Sequence, residues 1–197
     1  SDQINLGDVK IDLKSPFKRI SFFDLIYENL GEDISEINDK DLKILCEKKG
    51  LNTKGNNNYG QTLDQLMSEF VEPKLIQPTF VTNYPKAISP LAKKHRNGNE
   101  KLVERFELFI AGSEFANAFS ELNDPIDQRE RFESQQKLAN DGDDEAHPVD
   151  ENFLQAMETG MPPTGGVGIG IDRLVMLLTG NRSIKDVILF PAMKNES

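Results

Sequence analysis

The sequence predicts an α+β fold whose sheet is mainly antiparallel. Strand-like and helix-like segments mix without the regular βαβ period of a parallel sheet. Residues 105–122 carry the strongest sheet signal: Phe106, Leu108 and Ile110 alternate, Gly112-Ser113 offers a turn, and a second strand-like run follows. Elsewhere, helices are marked by capping residues and by apolar side chains at helical spacing.

Taken in order, Val9, Ile11 and Leu13 alternate with polar residues, as in a short half-buried strand. Ser21 caps a helix to about Leu30, with Gly31 at its C-terminal end. A second helix over 39–49 carries Leu42, Leu45 and Cys46 on one face, and Gly50 ends it. The Asn- and Gly-rich stretch 52–60 is loop chemistry. Thr62 then caps a third helix with Leu63, Leu66, Met67 and Phe70 on one stripe, and Pro73 closes it. Residues 75–82 are β-rich but broken by Pro78, which suits an edge strand or a strand end. Beyond the hairpin, Asp124-Pro125 starts a helix to about Asn140. An acidic loop over 141–145, a short helix over 150–159 and a glycine-rich strand over 165–171 follow. A helix to Leu178 and an apolar run over 187–190 come last.

The 197 residues suffice for one domain with a sizeable core. Lys and Arg number 23 against 33 Asp and Glu, a net charge of −10, which argues against holding nucleic acid by bulk charge but leaves a nucleotide site open. The single cysteine, Cys46, excludes an intrachain disulfide and points to a reducing compartment; Cys46 and Met67 read as plain core. His95 and His147 have no zinc-ligand spacing. No apolar run approaches the ~20 residues of a membrane span, and the polar start is no signal peptide, so the expected location is the cytoplasm.

Two constellations could carry chemistry. In the hairpin, Asn117, Phe119 and Glu121 share a strand face, and Glu107 joins it if it lies opposite Asn117. Glu114 is out of phase and needs a bulge or the turn to reach that face. The acids are either a solvated polar face or a site. As a site, crowded carboxylates need cations: Mg²⁺ bridging to phosphates, and an ammonium or guanidinium whose stem an aromatic such as Phe119 would pack. In the second, Gly165-Gly166-Val167-Gly168-Ile169-Gly170-Ile171-Asp172-Arg173, alternating glycines leave one strand face bare. This run fits neither the dinucleotide fingerprint nor the P-loop. It is either a strand packed tightly beneath a helix, with Arg173 in an ion pair, or a surface for a flat ligand with Arg173 stacking on it.

The run from Gly112 to Pro125, Gly-Ser-Glu-Phe-Ala-Asn-Ala-Phe-Ser-Glu-Leu-Asn-Asp-Pro, closely resembles class II lysyl-tRNA synthetases. The run from Pro162 to Thr179 resembles their motif 3, and shorter stretches at 75–80, 89–92, 144–146 and 186–191 extend the likeness over nearly the whole chain. The resemblance implies part of a class II catalytic domain, an antiparallel sheet flanked by helices. It implies that Glu107 and Glu114 hold Mg²⁺ on ATP, and that Asn117, Phe119 and Glu121 line a lysine pocket in which Glu121 accepts the ammonium. It also implies that Gly168 and Gly170 let adenosine lie on the strand, and that Arg173 stacks on adenine, touches phosphate and serves as the catalytic cation. The implied reaction is formation of lysyl-adenylate from lysine and ATP, then transfer to tRNA(Lys), in a parent homodimer.

The family's anticodon-binding barrel, motif 1 and motif 2 have no counterpart in 1–197. Phe17-Lys18-Arg19-Ile20-Ser21 has an arginine but no glutamate two residues later. The expectation is therefore a C-terminal portion of the catalytic domain, inactive and self-associating on its own. The alternatives are a paralogue that lysylates a protein such as elongation factor P, for which Ala116 would narrow the pocket, and a non-catalytic synthetase-derived module. An aspartate-type enzyme fits poorly, because Glu121 would repel an acidic substrate.

Overall fold

The computed structural model describes residues 2–140 and 149–191. The acidic loop over 141–145, the stretch 144–146 and His147 lie outside the described residues. The chain opens with a hairpin of β1 (Gln3–Leu6) and β2 (Val9–Asp12), turning at Gly7, whose φ of 62° is left-handed. The alternation at Val9 and Ile11 belongs to β2; β1, in which Ile4 and Leu6 alternate with Gln3 and Asn5, is the strand it pairs with.

A five-stranded sheet follows in spatial order β3 (Lys18–Ser21), β4 (Thr79–Thr82), β5 (Arg105–Ile110), β6 (Ser113–Ser120) and β7 (Gly165–Ile169). Only β3 and β4 pair in parallel; the other three pairings are antiparallel. Pro78 does stand at a strand end, immediately before β4, yet β4 lies inside the sheet between β3 and β5. The turn joining β5 to β6 is Ala111-Gly112, one residue earlier than expected. Both have positive φ, 52° and 73°, as a two-residue hairpin turn with the right twist requires, and Ser113 already belongs to β6.

Helix α1 (Phe22–Leu30) is capped by Ser21 and ended by left-handed Gly31, and α2 (Asp39–Lys48) starts at the cap Asn38. Helix α3 (Tyr59–Phe70) begins four residues before the expected start. Its cap is Asn58, and Thr62 is a buried residue of the first turns whose hydroxyl donates to the Asn58 carbonyl at 3.2 Å. These three helices cover one face of the sheet at β3–β5. Ile20, Val81 and Phe109 from the strands meet Phe22, Leu25, Ile26, Leu42, Cys46, Leu63, Leu66 and Met67 there. Each such side chain contributes roughly 1.5–3 kcal/mol by leaving water. Burial also pushes the Cys46 thiol up to about 11, as befits a core cysteine.

Helix α4 (Pro125–Asn140) braces the loop between β4 and β5. Buried Arg131 donates to the carbonyls of Ser89 (3.2 Å) and Ala92 (2.8 Å) while paired with Asp127. Helix α5 (Glu151–Glu158) is capped by Asp150. Strand β7 stops at Ile169, and Ile171 opens α6 (Ile171–Thr179), because Gly170 is the helix N-cap rather than a strand residue. On the opposite sheet face, Leu177 of α6 packs with Ile11, Ile110 and Phe115 in a second, smaller core. No helix among the described residues is long and apolar enough to cross a membrane.

Candidate active site

Strand register decides what faces what. Glu107 lies opposite Asn117, which lies opposite Gly168; Arg105 lies opposite Phe119, which lies opposite Gly166. One face of β5–β7 therefore displays Glu107, Asn117, Phe119, Gly166 and Gly168 together. Between Leu108 and Phe109 the register shifts, so that Phe109 pairs with Glu114. This bulge brings Glu114 onto the face of Glu107 despite its odd spacing from Asn117. Glu121 continues beyond Phe119, bridged to Ala92 and with its N–H donating to the Thr164 carbonyl at 2.9 Å. Ala116 pairs with Leu108 and Ile169, which places it on the opposite face, so it does not narrow a pocket beside Asn117.

Glu107 is a buried carboxylate with both oxygens occupied. The Tyr84 hydroxyl donates to Oε2 at 2.6 Å, and Nη2 of Arg105 donates to Oε1. The same guanidinium donates to Oδ1 of Asn117 (3.1 Å), to the Ile88 carbonyl (2.7 Å) and to the Ser89 hydroxyl (2.9 Å), and it lies 4.7 Å from the Tyr84 ring centre. Burial, reinforced by the Glu107 charge, pushes the Tyr84 phenol well above its ordinary value. The Glu72 carboxyl, beyond the end of α3, is pushed up to about 7, chiefly by burial and then by the charges of Glu107, Asp64 and Glu114.

Arg173 stands in the first turn of α6, about half exposed, with its guanidinium donating to the Glu114 backbone carbonyl and 3.9 Å from the Glu114 carboxylate. β7 is the last strand of the sheet and its glycine face is open. A Cβ on Gly168 would find nothing closer than the Asn117 carbonyl at 3.8 Å. A Cβ on Gly170 would touch only the stem of Arg173, at 3.5–3.7 Å. The Glu121 carboxylate makes no hydrogen bond or ion pair among the described residues, and burial raises it above the ordinary value. Its Oε1 lies across Gly166, 2.1 Å from where a Cβ would stand. A cleft of about 440 Å³ is lined by Arg19, Thr82 and Phe106 and also by Arg105, Phe119 and Gly166, but contains none of the three acids Glu107, Glu114 and Glu121. Arg19 pairs with Phe80, which pairs with Leu108, so it sits on the face away from Glu107.

Among the described residues no group of three or more His, Cys, Asp or Glu could hold a metal ion unaided. Of the two acids that the resemblance assigns to Mg²⁺, Glu114 is partly exposed, whereas both oxygens of Glu107 already accept hydrogen bonds from Tyr84 and Arg105. Magnesium takes oxygen ligands and keeps several waters, so Glu114 fits it as it stands and Glu107 fits it through the lone pairs that its two hydrogen bonds leave.

The family model for class II tRNA synthetases (D, K and N) matches residues 2–194. The chain belongs to the class II tRNA synthetases. The lysine–tRNA ligase of Porphyromonas gingivalis is 53% identical over 194 residues, 98% of this chain and 33% of the relative. That of Listeria monocytogenes is 52% identical over 98% of this chain and 39% of the relative. That of Christiangramia forsetii is 50% identical over 96% and 33%. The chain spans about a third of the length of these relatives.

In this synthetase chain, Arg105, Tyr84 and Glu72 are part of the site without having stood out in the sequence. Arg105 had one local signal: it precedes Glu107 by two residues and so shares its strand face. Tyr84 and Glu72 come from segments 23 and 35 residues earlier than Glu107, and only the fold brings them near.

Proposed function

We propose that this chain is the C-terminal portion of the catalytic domain of a lysine–tRNA ligase, in which it forms one wall of the site that makes lysyl-adenylate. The observation that carries the reading is the carboxylate of Glu121, without a partner among the described residues and part-buried beside Phe119 and Asn117 on an otherwise bare glycine face. A desolvated carboxylate without a cation is costly, and a lysine ammonium supplies the missing charge. Phe119 packs the aliphatic stem, and the Asn117 amide, its oxygen held by Arg105, keeps its nitrogen for the substrate.

With the side chain anchored there, the α-carboxylate of lysine points along the sheet towards Glu107, Glu114 and Arg173. Adenosine lies along the open glycines Gly168 and Gly170, with Arg173 stacked on adenine and reaching phosphate. Glu107 and Glu114 would hold the Mg²⁺ of Mg–ATP, which would neutralise phosphate charge. A lysine carboxylate oxygen attacks the α-phosphorus while the bond to the β-phosphate oxygen breaks, giving lysyl-adenylate and pyrophosphate. The tRNA ribose hydroxyl then attacks the activated carbonyl and releases AMP. Positioning and charge neutralisation suffice, and no side chain here acts as a general base. Motif 2's Arg-x-Glu pair comes from sequence outside these residues, as do motif 1 and the anticodon barrel. The working enzyme is a cytoplasmic homodimer of the longer polypeptide.

Amino-acid-dependent ATP–pyrophosphate exchange with Mg²⁺ tests this, run on the full-length polypeptide and on residues 1–197 with lysine, β-lysine and aspartate. Exchange with lysine in the full-length protein, and silence of residues 1–197, is expected. Exchange only with β-lysine would move the assignment to a protein-modifying paralogue. Silence of the full-length protein would make it a non-catalytic module, and exchange by residues 1–197 alone would overturn the one-wall reading.

A further inference from the structure

Gly166 has an ordinary backbone conformation and needs no glycine for its dihedrals. What it provides is room. A Cβ there would stand 2.1 Å from Oε1, 3.3 Å from Cδ and 4.0 Å from Cγ of Glu121, and no other atom lies within 4 Å. Gly165 is different: a Cβ at that position meets only the Phe119 carbonyl at 3.9 Å, an ordinary contact. The side chain at 166 therefore touches nothing of the fold except the end of one flexible carboxylate.

We infer that Gly166 is a positioning residue for recognition of the substrate's side-chain ammonium, its missing Cβ setting where the Glu121 carboxylate stands. The inference rests on the lysine reading of the site. Alanine there leaves the strand intact, since only a mobile carboxylate must yield. That carboxylate must retreat by about 1.3 Å, from 2.1 Å to the 3.4 Å at which ordinary contact begins. A displacement of this size takes it out of hydrogen-bond reach of an ammonium held by Phe119 and Asn117. Specificity for a cationic side chain is then set by two strands: β6, which leads into Glu121, and β7, which leaves the space it occupies.

The test is lysine- and ATP-dependence of pyrophosphate exchange by the full-length protein with Gly166→Ala, with Gly165→Ala as control and Glu121→Asp as background. Gly166→Ala should raise the KM for lysine at least tenfold, with the KM for ATP and the thermal midpoint within twofold and a few degrees of the parent. Gly165→Ala should leave both KM values unchanged. A carboxylate one methylene shorter no longer meets the new methyl group, so Gly166→Ala should change the lysine KM little when added to Glu121→Asp. An unchanged lysine KM in Gly166→Ala overturns the inference. So does a joint loss of kcat, ATP affinity and thermal stability that Glu121→Asp does not suppress, which would mark a structural role. Absence of lysine-dependent exchange in the unmutated full-length protein overturns the lysine reading itself, and this outcome is distinguishable from the others.

Discussion

Arg105 and Glu107 sit two residues apart on one strand face, and their side chains are joined while both are largely shielded from solvent. The pair converts what looked like free acids into a braced assembly. Arg105 neutralises Glu107, fixes the Asn117 amide and ties both to the loop carrying Ile88 and Ser89. Because α4 pins that same loop through Arg131, the site face is braced from a helix that never touches it.

Arg105→Met should therefore destabilise residues 1–197 by about 3 kcal/mol, because it strands a buried carboxylate. Adding Glu107→Gln should recover much of that loss, since no uncompensated charge then remains. Urea denaturation of the two single variants and the double variant measures it. Equal losses for the single and double variants would show that the pairing is not what holds the strands.

Glu121→Gln should act on substrate rather than on the fold. Removing one partner of a desolvated charge pair costs roughly 3 kcal/mol, which corresponds to ~100-fold in lysine KM in the full-length protein. The ATP KM should stay near that of the parent, because Gly168, Gly170 and Arg173 are untouched. The opposite pattern, a loss confined to ATP, would remove Glu121 from the lysine pocket.

Local features were read well. Ser21 and Gly31 are caps whose partners lie within a few residues, and the two-residue period of Asn117, Phe119 and Glu121 needs only a strand. Even the phase error of Glu114 pointed to the bulge that places it. The four-residue strands Gln3–Leu6 and Lys18–Ser21 were not read from the sequence: each is too short for a two-residue period to stand out, and their hydrogen-bond partners are what make them strands. Thr62 lost the capping position to Asn58, a better cap four residues earlier. In the site itself, Tyr84 and Glu72 reach the acids only through tertiary packing, and nothing in their sequence neighbourhoods marks them.

Acid stability should depend on Glu104. Arg96 donates Nη2–H to Glu104 Oε2 at 2.8 Å and Nε–H to Oε1, while the Ser120 hydroxyl donates to Oε2 at 2.7 Å. These bonds, with that of Arg96 foremost, hold the carboxyl at about 2, well below its ordinary 4.5. A carboxyl lowered in the folded state contributes its full stabilisation above the unfolded value and loses it as pH falls from about 4.5 towards 2. Because Arg96 is exposed, the contribution is about 0.5–1 kcal/mol. Thermal midpoints between pH 6 and pH 2.5 should fall less steeply for Glu104→Gln than for the parent. Parallel curves would mean the clamp contributes nothing.

The last relationship is between helix α6 and the surface it leaves open. Leu177 is buried in the smaller core, whereas Ile171, Leu174, Val175 and Leu178 form an exposed stripe at helical spacing. Val167 and Ile169 of β7, and Leu189 and Phe190 further on, are exposed as well. Apolar surface gathered at the open edge of a sheet favours association. Residues 1–197 should accordingly gain apparent mass with concentration in light scattering. Replacing Ile171 and Leu178 together by lysine should keep the chain monomeric, because charges at these exposed positions cost the fold little and oppose apolar contact between copies. A parent chain that stays monomeric over the same concentrations would mean that this surface is tolerated in water and that association needs a different partner.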